Sequence, residues 1–255
     1  MTNLRHRKAL CHHTNSHVRD RVRRSTSDSA SLVTASPPTW LLCAAALCVT
    51  AVCFILIAQA QDVFRLDPTL IERVQKEHDS YAARRLLAWQ ELINSANGIG
   101  EHEKLGKVND FFNRIQFVSD ALMWKQEDYW ATPVEFLVKD GGDCEDFSIA
   151  KYFTLKKMGV DESKLNMTYV KALELNQAHM VVTYYATPES EPLVLDNLKP
   201  DILSASKRTD LLPVFSFNGS GLWLAKERSR GRRVGNSDRY KRWMDLLQRM
   251  PEGLN

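Results

Sequence analysis

Hydrophobic positions along this chain follow three regimes. From Trp40 to Ala60 they are nearly continuous, a 21-residue run with no charge. A bilayer is crossed by about 20 such residues. From Asp67 to Met158 apolar residues recur every three or four positions, the helical period. Beyond Gly159 they come in short runs rich in β-branched and aromatic residues between turn residues, the pattern of strands.

Within the helical part, Asp67-Pro68 reads as an N-cap followed by proline in the first turn. The pattern through Ile71, Val74, Tyr81, Ala88 and Leu92 predicts one helix ending at Asn97-Gly98. A second helix is predicted through Leu105, Val108, Phe112, Ile115, Val118 and Leu122, packed antiparallel to the first. Ala131-Thr132-Pro133 is a break, 134–138 is ambiguous, and Asp140-Gly141-Gly142 reads as a turn. A helix over 144–158 follows, with Gly159 as its C-terminal cap. Strand-like runs lie at 167–173, 179–186, 192–196, 213–217 and 222–224, with Asn218-Gly219-Ser220-Gly221 as a hairpin turn. Residues 239–250 form a last helical pattern. Helices first and consecutive strands later predict an α+β fold with the N-terminal helices packed on an antiparallel β-sheet.

Charge divides the chain differently. Residues 1–39 carry seven Lys/Arg against two Asp/Glu and form a basic leader. This leaves 27 of the 34 basic and 29 of the 31 acidic side chains downstream, so the net charge of +3 belongs to the leader. Residues 61–255 have no nucleic-acid signature. The basic stretch from Lys226 to Arg249 reads as a solvated face or a frayed end. Segment 40–60 ends in Ala58-Gln59-Ala60, the small-x-small pattern of a signal-peptidase site. Basic residues precede it, so its N-terminal side stays cytoplasmic. It is either a signal-peptide core or an uncleaved transmembrane anchor. Both readings export residues 61–255, for which a bacterial periplasm is the expected compartment, with membrane contact through residues 40–60 only if that segment is uncleaved.

Export sharpens the search for chemistry. Of five cysteines, only Cys144 lies downstream of residue 60, and of seven histidines only His78, His102 and His179 do. A single exported thiol forms no internal disulfide and is a candidate for reactivity. Cys144 opens a predicted helix, where the dipole and free N–H groups favour a thiolate and a developing oxyanion. His179 begins a strand-like run and Asp196 ends the next one. If the two runs pair as a hairpin, histidine and aspartate meet at one sheet edge and complete a Cys–His–Asp triad. The alternatives are a buried cysteine, a structural histidine and a plain Asp196-Asn197 turn. His78 and His102 read as surface or partly packed helix residues. Asp143, Glu145 and Asp146 oppose a thiolate by like-charge repulsion. Either they cap the helix and complement its dipole, or they hold a hard cation such as calcium, which takes carboxylate oxygens.

The motifs Trp130-x-Thr132-Pro133-x-Glu135-Phe136-Leu137, Gly142-Asp143-Cys144-Glu145-Asp146-Phe147, His179-Met180-Val181 and Leu195-Asp196-Asn197-Leu198, followed by Arg208-x-Asp210-Leu211, resemble the bacterial transglutaminase-like cysteine protease family. Among its members they are most similar to the LapG type, periplasmic proteases that release large surface adhesins. The resemblance spans residues 65–225 and implies a papain/transglutaminase-like fold with Cys144 as nucleophile, His179 as base and Asp196 as orienting acid. It implies Ca2+ dependence, with Asp143, Glu145 and Asp146 at the ligand positions. The substrate it implies is the N-terminal retention module of a giant adhesin, cut within an Ala-Ala motif, which would promote biofilm dispersal. The partner it implies is the periplasmic domain of an inner-membrane cyclic-di-GMP receptor. Two other activities share these residues: transglutaminase-type acyl transfer, and a non-enzymatic, membrane-linked binding module that kept the fold.

Overall fold

In the computed structural model the chain divides into two units, Met1–Gln61 and Asp62–Asn255. The structure describes residues 63–226 and 229–254, all in the second unit. The leader over 1–39 and the segment 40–60 lie outside the described residues. Among the described residues no helix is long and apolar enough to cross a membrane.

The first predicted helix is two. Helix α1 spans Pro68–Glu77, begun by Asp67, whose side chain accepts the Thr69 N–H. It stops at His78, and Asp79 starts α2, Ser80–Asn94, by accepting the Ala82 N–H at 2.6 Å. A short carboxylate that bonds nearby N–H groups makes a better cap than a mid-helix residue, and this local choice overrides the apolar period. Tyr81, placed on the apolar face by spacing, is 66 % exposed.

The second predicted helix is also shorter. Helix α3 covers Glu101–Phe112. Strand β1, Gln116–Phe117, then pairs in parallel with β2, Gly141–Gly142, and α4, Asp120–Met123, follows. Ile115 and Val118 keep helical spacing, but the backbone there is claimed by a partner 25 residues away in Gly141. The expected antiparallel pairing of the two helices is replaced. Helix α2 packs on α5, Pro133–Lys139, and α3 packs on α6, Cys144–Lys157. The ambiguous run at 134–138 is thus helix α5, opened by Thr132 and Glu135 in a reciprocal capping box.

Seven antiparallel strands form the main sheet: β3 Leu165–Ala172, β4 Gln177–Tyr184, β5 Leu193–Leu195, β6 Leu203–Ser204, β7 Leu211–Asn218, β8 Gly221–Lys226 and β9 Ser229–Gly235. Their spatial order is β6-β5-β4-β3-β7-β8-β9. Gly219-Ser220 turns β7 into β8 as expected, with Asn218 opposite Gly221. Of the two readings of the basic stretch after Lys226, the structure has an ordered, solvated edge in strand β9, not a frayed end. As an edge strand it leaves Arg232, Arg233 and Val234 exposed, so it carries no alternation for periodicity to detect. Helix α7, Lys241–Arg249, then buries Trp243 and Leu246.

The core lies between the sheet and the helices, and α6 runs through it. Every residue from Phe147 to Leu155 is buried. Met180, Val182, Leu195 and Phe217 of the sheet share that core, and Trp89 of α2 joins it, its indole N–H donating to Thr154 at 2.8 Å. A small second cluster of Val170, Val181 and Val194, with Ala205 and Leu211 packed on it, forms separately. Helix α6 therefore presents its first residue, Cys144, from an element buried in the core.

Candidate active site

Two glycines and an aspartate set the start of α6. Asp140 ends α5 in the left-handed region at φ 54°. Gly141 and Gly142 are not a turn; they are β2, pressed against their surroundings. A Cβ on Gly141 would lie 2.8 Å from the Met123 methyl, and one on Gly142 2.8 Å from the Phe136 ring and against the Asp146 carboxylate. Asp143 occupies the N-cap of α6, and its N–H donates to Asp146 Oδ2 at 3.3 Å. The other oxygen, Asp146 Oδ1, accepts the Ala131 N–H at 2.7 Å. The segment 130–135 thus joins the start of α5 to the start of α6. Arg249 of α7 ties the same segment down, through Glu135 at 2.6 Å, Tyr129 at 2.7 Å and the Trp130 carbonyl.

Cys144 is partly buried. Its thiol donates to Glu145 Oε2 at 2.8 Å, and Glu145 Oε1 accepts the Tyr169 hydroxyl at 3.1 Å. Burial raises the thiol well above its ordinary pKa; the charges on Glu145 and Asp143 raise it further, and a contact with the Met180 backbone only partly opposes them. Met180 lies on β4 directly after His179, so the nucleophile candidate meets the strand that carries the base candidate.

The predicted hairpin exists. Strands β4 and β5 pair with Val182 opposite Leu195. This register brings the start of β4 beside the end of β5, and His179 Nε2 lies 2.7 Å from Asp196 Oδ1. Both side chains are buried, at 5 % and 0 % exposure. With Nε2 committed to Asp196, Nδ1 is the ring nitrogen left to exchange a proton with a thiol. Burial alone would raise Asp196; His179, the Leu198 N–H and Arg208 outweigh it and hold the carboxylate at about 2. Leu198 N donates to Oδ1 at 3.0 Å, and Arg208 Nη2 donates to Oδ2 at 2.6 Å.

A polar chain in the core supports this pair from behind. Asn113 Nδ2 donates to the Asp196 carbonyl at 2.9 Å, and Asn109 Nδ2 donates to the Pro200 carbonyl at 2.7 Å. Both asparagine oxygens accept from Lys151 Nζ, at 2.7 and 2.8 Å. Burial lowers Lys151 to about 7, with the Asp196 charge opposing. Lys151 lies two turns after Cys144 on α6, so the nucleophile's helix is fastened to the segment bearing the acid.

The acidic residues sort into two groups. Asp143, Cys144 and Glu145 bring one ligand atom each together, and so do Asp120, Asp143 and Asp146, with those atoms within 4.8 Å of one another in each group. The second group is all carboxylate, the donor set of a hard cation. Oδ1 of Asp120 and Oδ1 of Asp143 are buried with no hydrogen-bond partner among the described residues. Burial raises Asp120 to about 6, against a hydrogen bond from the Tyr129 N–H. Burial, then Glu145 and Asp146, raise Asp143 to about 9, and burial raises Asp146 well above the usual range. Crowded carboxylates with orphaned oxygens fit a divalent cation. Of the three acids expected as ligands, Asp143 and Asp146 meet in this group, whereas Glu145 faces the thiol and Tyr169.

Asp120 was hidden in the sequence, because it sits inside a run that reads as one apolar helix, 23 positions before Asp143. Lys151, Asn109 and Asn113 carried a faint signal as polar residues on helix faces otherwise apolar. His78 and His102 are exposed, as expected.

Three solved structures of LapG from Legionella pneumophila are similar to this one, each 47 % identical over 70 % of this chain. One matches over 96 % of its own chain at a TM-score of 0.61. An EGTA-treated form matches over 96 % at 0.62, and a calcium-bound form over 98 % at 0.61. No curated protein matches the chain. The family model described as bacterial transglutaminase-like cysteine proteinase BTLCP matches residues 90–214, which hold Cys144, His179, Asp196 and Arg208. The fold, these motifs in their order and this degree of identity agree, and the chain belongs to the bacterial transglutaminase-like cysteine proteinases.

Proposed function

We propose that the chain is a calcium-dependent cysteine endopeptidase in which Cys144 is the nucleophile, His179 the general base and Asp196 the orienting acid. The observation that carries this reading is the buried His179–Asp196 pair, 2.7 Å apart, at the end of the strand that Cys144 contacts. The thiol passes its proton to His179, and the thiolate attacks the scissile carbonyl. The new C–S bond leaves an oxyanion near the first N–H groups of α6, which have no partner within the helix. The imidazolium returns its proton to the departing amine as the C–N bond breaks. Water, deprotonated by His179, then hydrolyses the thioester and frees Cys144. Asp196 keeps the imidazole in one tautomer and stabilises its cationic form throughout.

The cation is supported by the orphaned oxygens of Asp120 and Asp143 and by the calcium-bound and EGTA-treated forms of the Legionella protein. Asp120, Asp143 and Asp146 would hold it. When bound, calcium supplies positive charge that neutralises acids beside the thiol. Glu145 accepts from the Cys144 thiol and the Tyr169 hydroxyl, beside the group that would hold the cation.

Family membership and the exported segment read from the sequence support one substrate and setting. The substrate is the N-terminal retention module of a large surface adhesin, cut at an Ala-Ala motif, in the periplasm. A cyclic-di-GMP receptor of the inner membrane sequesters the protease. The test incubates full-length protein with a recombinant adhesin N-terminal fragment, with calcium or with EGTA. Cleavage that requires calcium and disappears in Cys144→Ala is expected. Cleavage that persists in Cys144→Ala defeats the nucleophile, and cleavage indifferent to EGTA removes the calcium requirement.

A further inference from the structure

The Arg208-x-Asp210 motif is absorbed by none of the roles above, yet it reaches the centre of the site. Arg208 is 2 % exposed and directly follows the short turn Ala205–Lys207 that leads from β6 toward β7. One of its terminal nitrogens, Nη2, donates to Asp196 Oδ2 at 2.6 Å and to Asp210 Oδ2 at 2.9 Å; Nε donates to Asp210 Oδ1 at 3.0 Å. Asp210, with its side chain 13 % exposed, is paired in turn with Lys199 at 3.1 Å. The result is an alternating row: imidazole, carboxylate, guanidinium, carboxylate, ammonium.

We propose that Arg208, backed by Asp210, is a positioning residue that fixes the Asp196 carboxylate and divides its negative charge with His179. The geometry gives each carboxylate oxygen one charged or ionisable partner, His179 on Oδ1 and Arg208 on Oδ2, so the carboxylate has no freedom to rotate. A guanidinium beside a carboxylate draws down the negative potential felt by the imidazole on the other side. Asp210 reverses part of that effect by neutralising the guanidinium. Arg208 and Asp210 thus push the imidazolium of His179 in opposite directions.

The other charged and titratable groups around the pair do not change that sign. Helix α6 contributes Cys144 with Glu145, and Lys151 within electrostatic reach of Asp196. The segment after β5 contributes Asp196 and Lys199. Strand β3 places uncharged Val170 opposite His179. None of these is altered in the variants below.

The proposal rests on the assignment of His179 and Asp196 given above, and the test separates the two. Full-length protein carrying 15N-labelled histidine is titrated by NMR, with the His179 signal identified by its loss in His179→Gln. Arg208→Gln is expected to move the His179 midpoint up, and Asp210→Asn to move it down, each by about one pH unit. Arg208→Lys, which keeps the charge but not the fork, stays near wild type in midpoint. A purely structural role would lower the melting temperature and leave the midpoint in place. Unmoved midpoints, or movement in the same direction, overturn the proposal. If Arg208→Gln fails to fold, Asp210→Asn alone decides it: a downward shift supports the proposal, and no shift or an upward one defeats it. In cleavage assays Arg208→Gln should lose about tenfold or more in kcat at unchanged KM. Midpoints that move as expected in a protein that cleaves nothing would leave the charge coupling standing and refute the catalytic assignment. Cleavage with unmoved midpoints would do the reverse.

Discussion

Half-buried Asp143 and fully buried Asp196 share one site, and their environments drive them apart. Asp196 has a cation or N–H donor on each oxygen and is held at about 2. Asp143 is raised to about 9 by burial and by Glu145 and Asp146, and Asp120 to about 6 by burial. The two kinds of shift have opposite consequences for stability. A lowered carboxylate stabilises the fold above its unfolded value near 4, and that contribution is lost as the pH falls toward 2. A raised carboxylate stabilises below about 4, and that contribution is lost as the pH rises through 6 for Asp120 and toward 9 for Asp143. In EGTA the melting temperature should therefore fall between about pH 5 and pH 8. Calcium should restore it, and more at pH 8 than at pH 5, because bound cation favours the ionised acids. Equal calcium increments at both pH values would show that the cation does not sit on these carboxylates. At the same scale, Asp196→Asn keeps the shape and removes the charge. It should cut kcat by about a hundredfold or more, since the tautomer and the imidazolium both lose their support. Steady-state cleavage of the adhesin fragment measures this, and a loss confined to KM would count against the role given to Asp196.

Gly141-Gly142 shows at the scale of elements what the sequence conveyed and what it withheld. Two glycines before a helix read as a turn. They are instead a short strand squeezed between Val118, Met123, Phe136 and Asp146. Close approach, not chain reversal, requires them. Gly142→Ala should destabilise the protein by about 1–3 kcal/mol, because the added methyl must displace an aromatic ring or the capping carboxylate. Urea denaturation measures it, and a loss below about 0.5 kcal/mol would mean that the strand gives way easily. The elements that were legible carry their own signals. Helix α6 has a cap, an apolar run and Gly159 at φ 81°. The β4–β5 hairpin, with its histidine and aspartate, has clean strand periodicity. Those that were not legible depend on partners elsewhere in the chain. Strand β1 forms because β2 accepts it, β9 forms as a polar edge, and the break at His78-Asp79 is a capping preference that the apolar period masks. The triad candidates were readable because they lie on elements of the first kind. Asp120 was not, because only the fold brings it to Asp143.

Across the whole molecule, the site joins two halves that the chain builds separately. The nucleophile starts a helix packed between the other helices and the sheet; the base lies near the start of one strand and the acid just past the end of the next. Backbone pairing does not connect them, so side chains must hold the register. Lys151 is the central link: buried at 1 % exposure, it fastens α6 to Asn109 and Asn113 of α3 and its C-terminal cap, and these hold the carbonyls of Pro200 and Asp196. A buried ammonium bound only by neutral oxygens costs desolvation energy, which is why its pKa drops to about 7. Its retention in the core makes physical sense if the arrangement it imposes is needed. Asn113→Ala should cost about 1–3 kcal/mol, leaving a carbonyl and part of the ammonium unsatisfied. Lys151→Met removes the desolvation cost but strands two asparagine oxygens, so its effect on stability alone should be smaller than that of a simple cavity. Because the two residues hold one segment, the double variant should lose less than the sum of the single losses in kcat and in stability. A cycle measured by urea denaturation and by adhesin-fragment cleavage decides this. Additive losses would mean that Lys151 and Asn113 act independently, and that the position of Asp196 relative to Cys144 is set by the sheet and α6 packing alone.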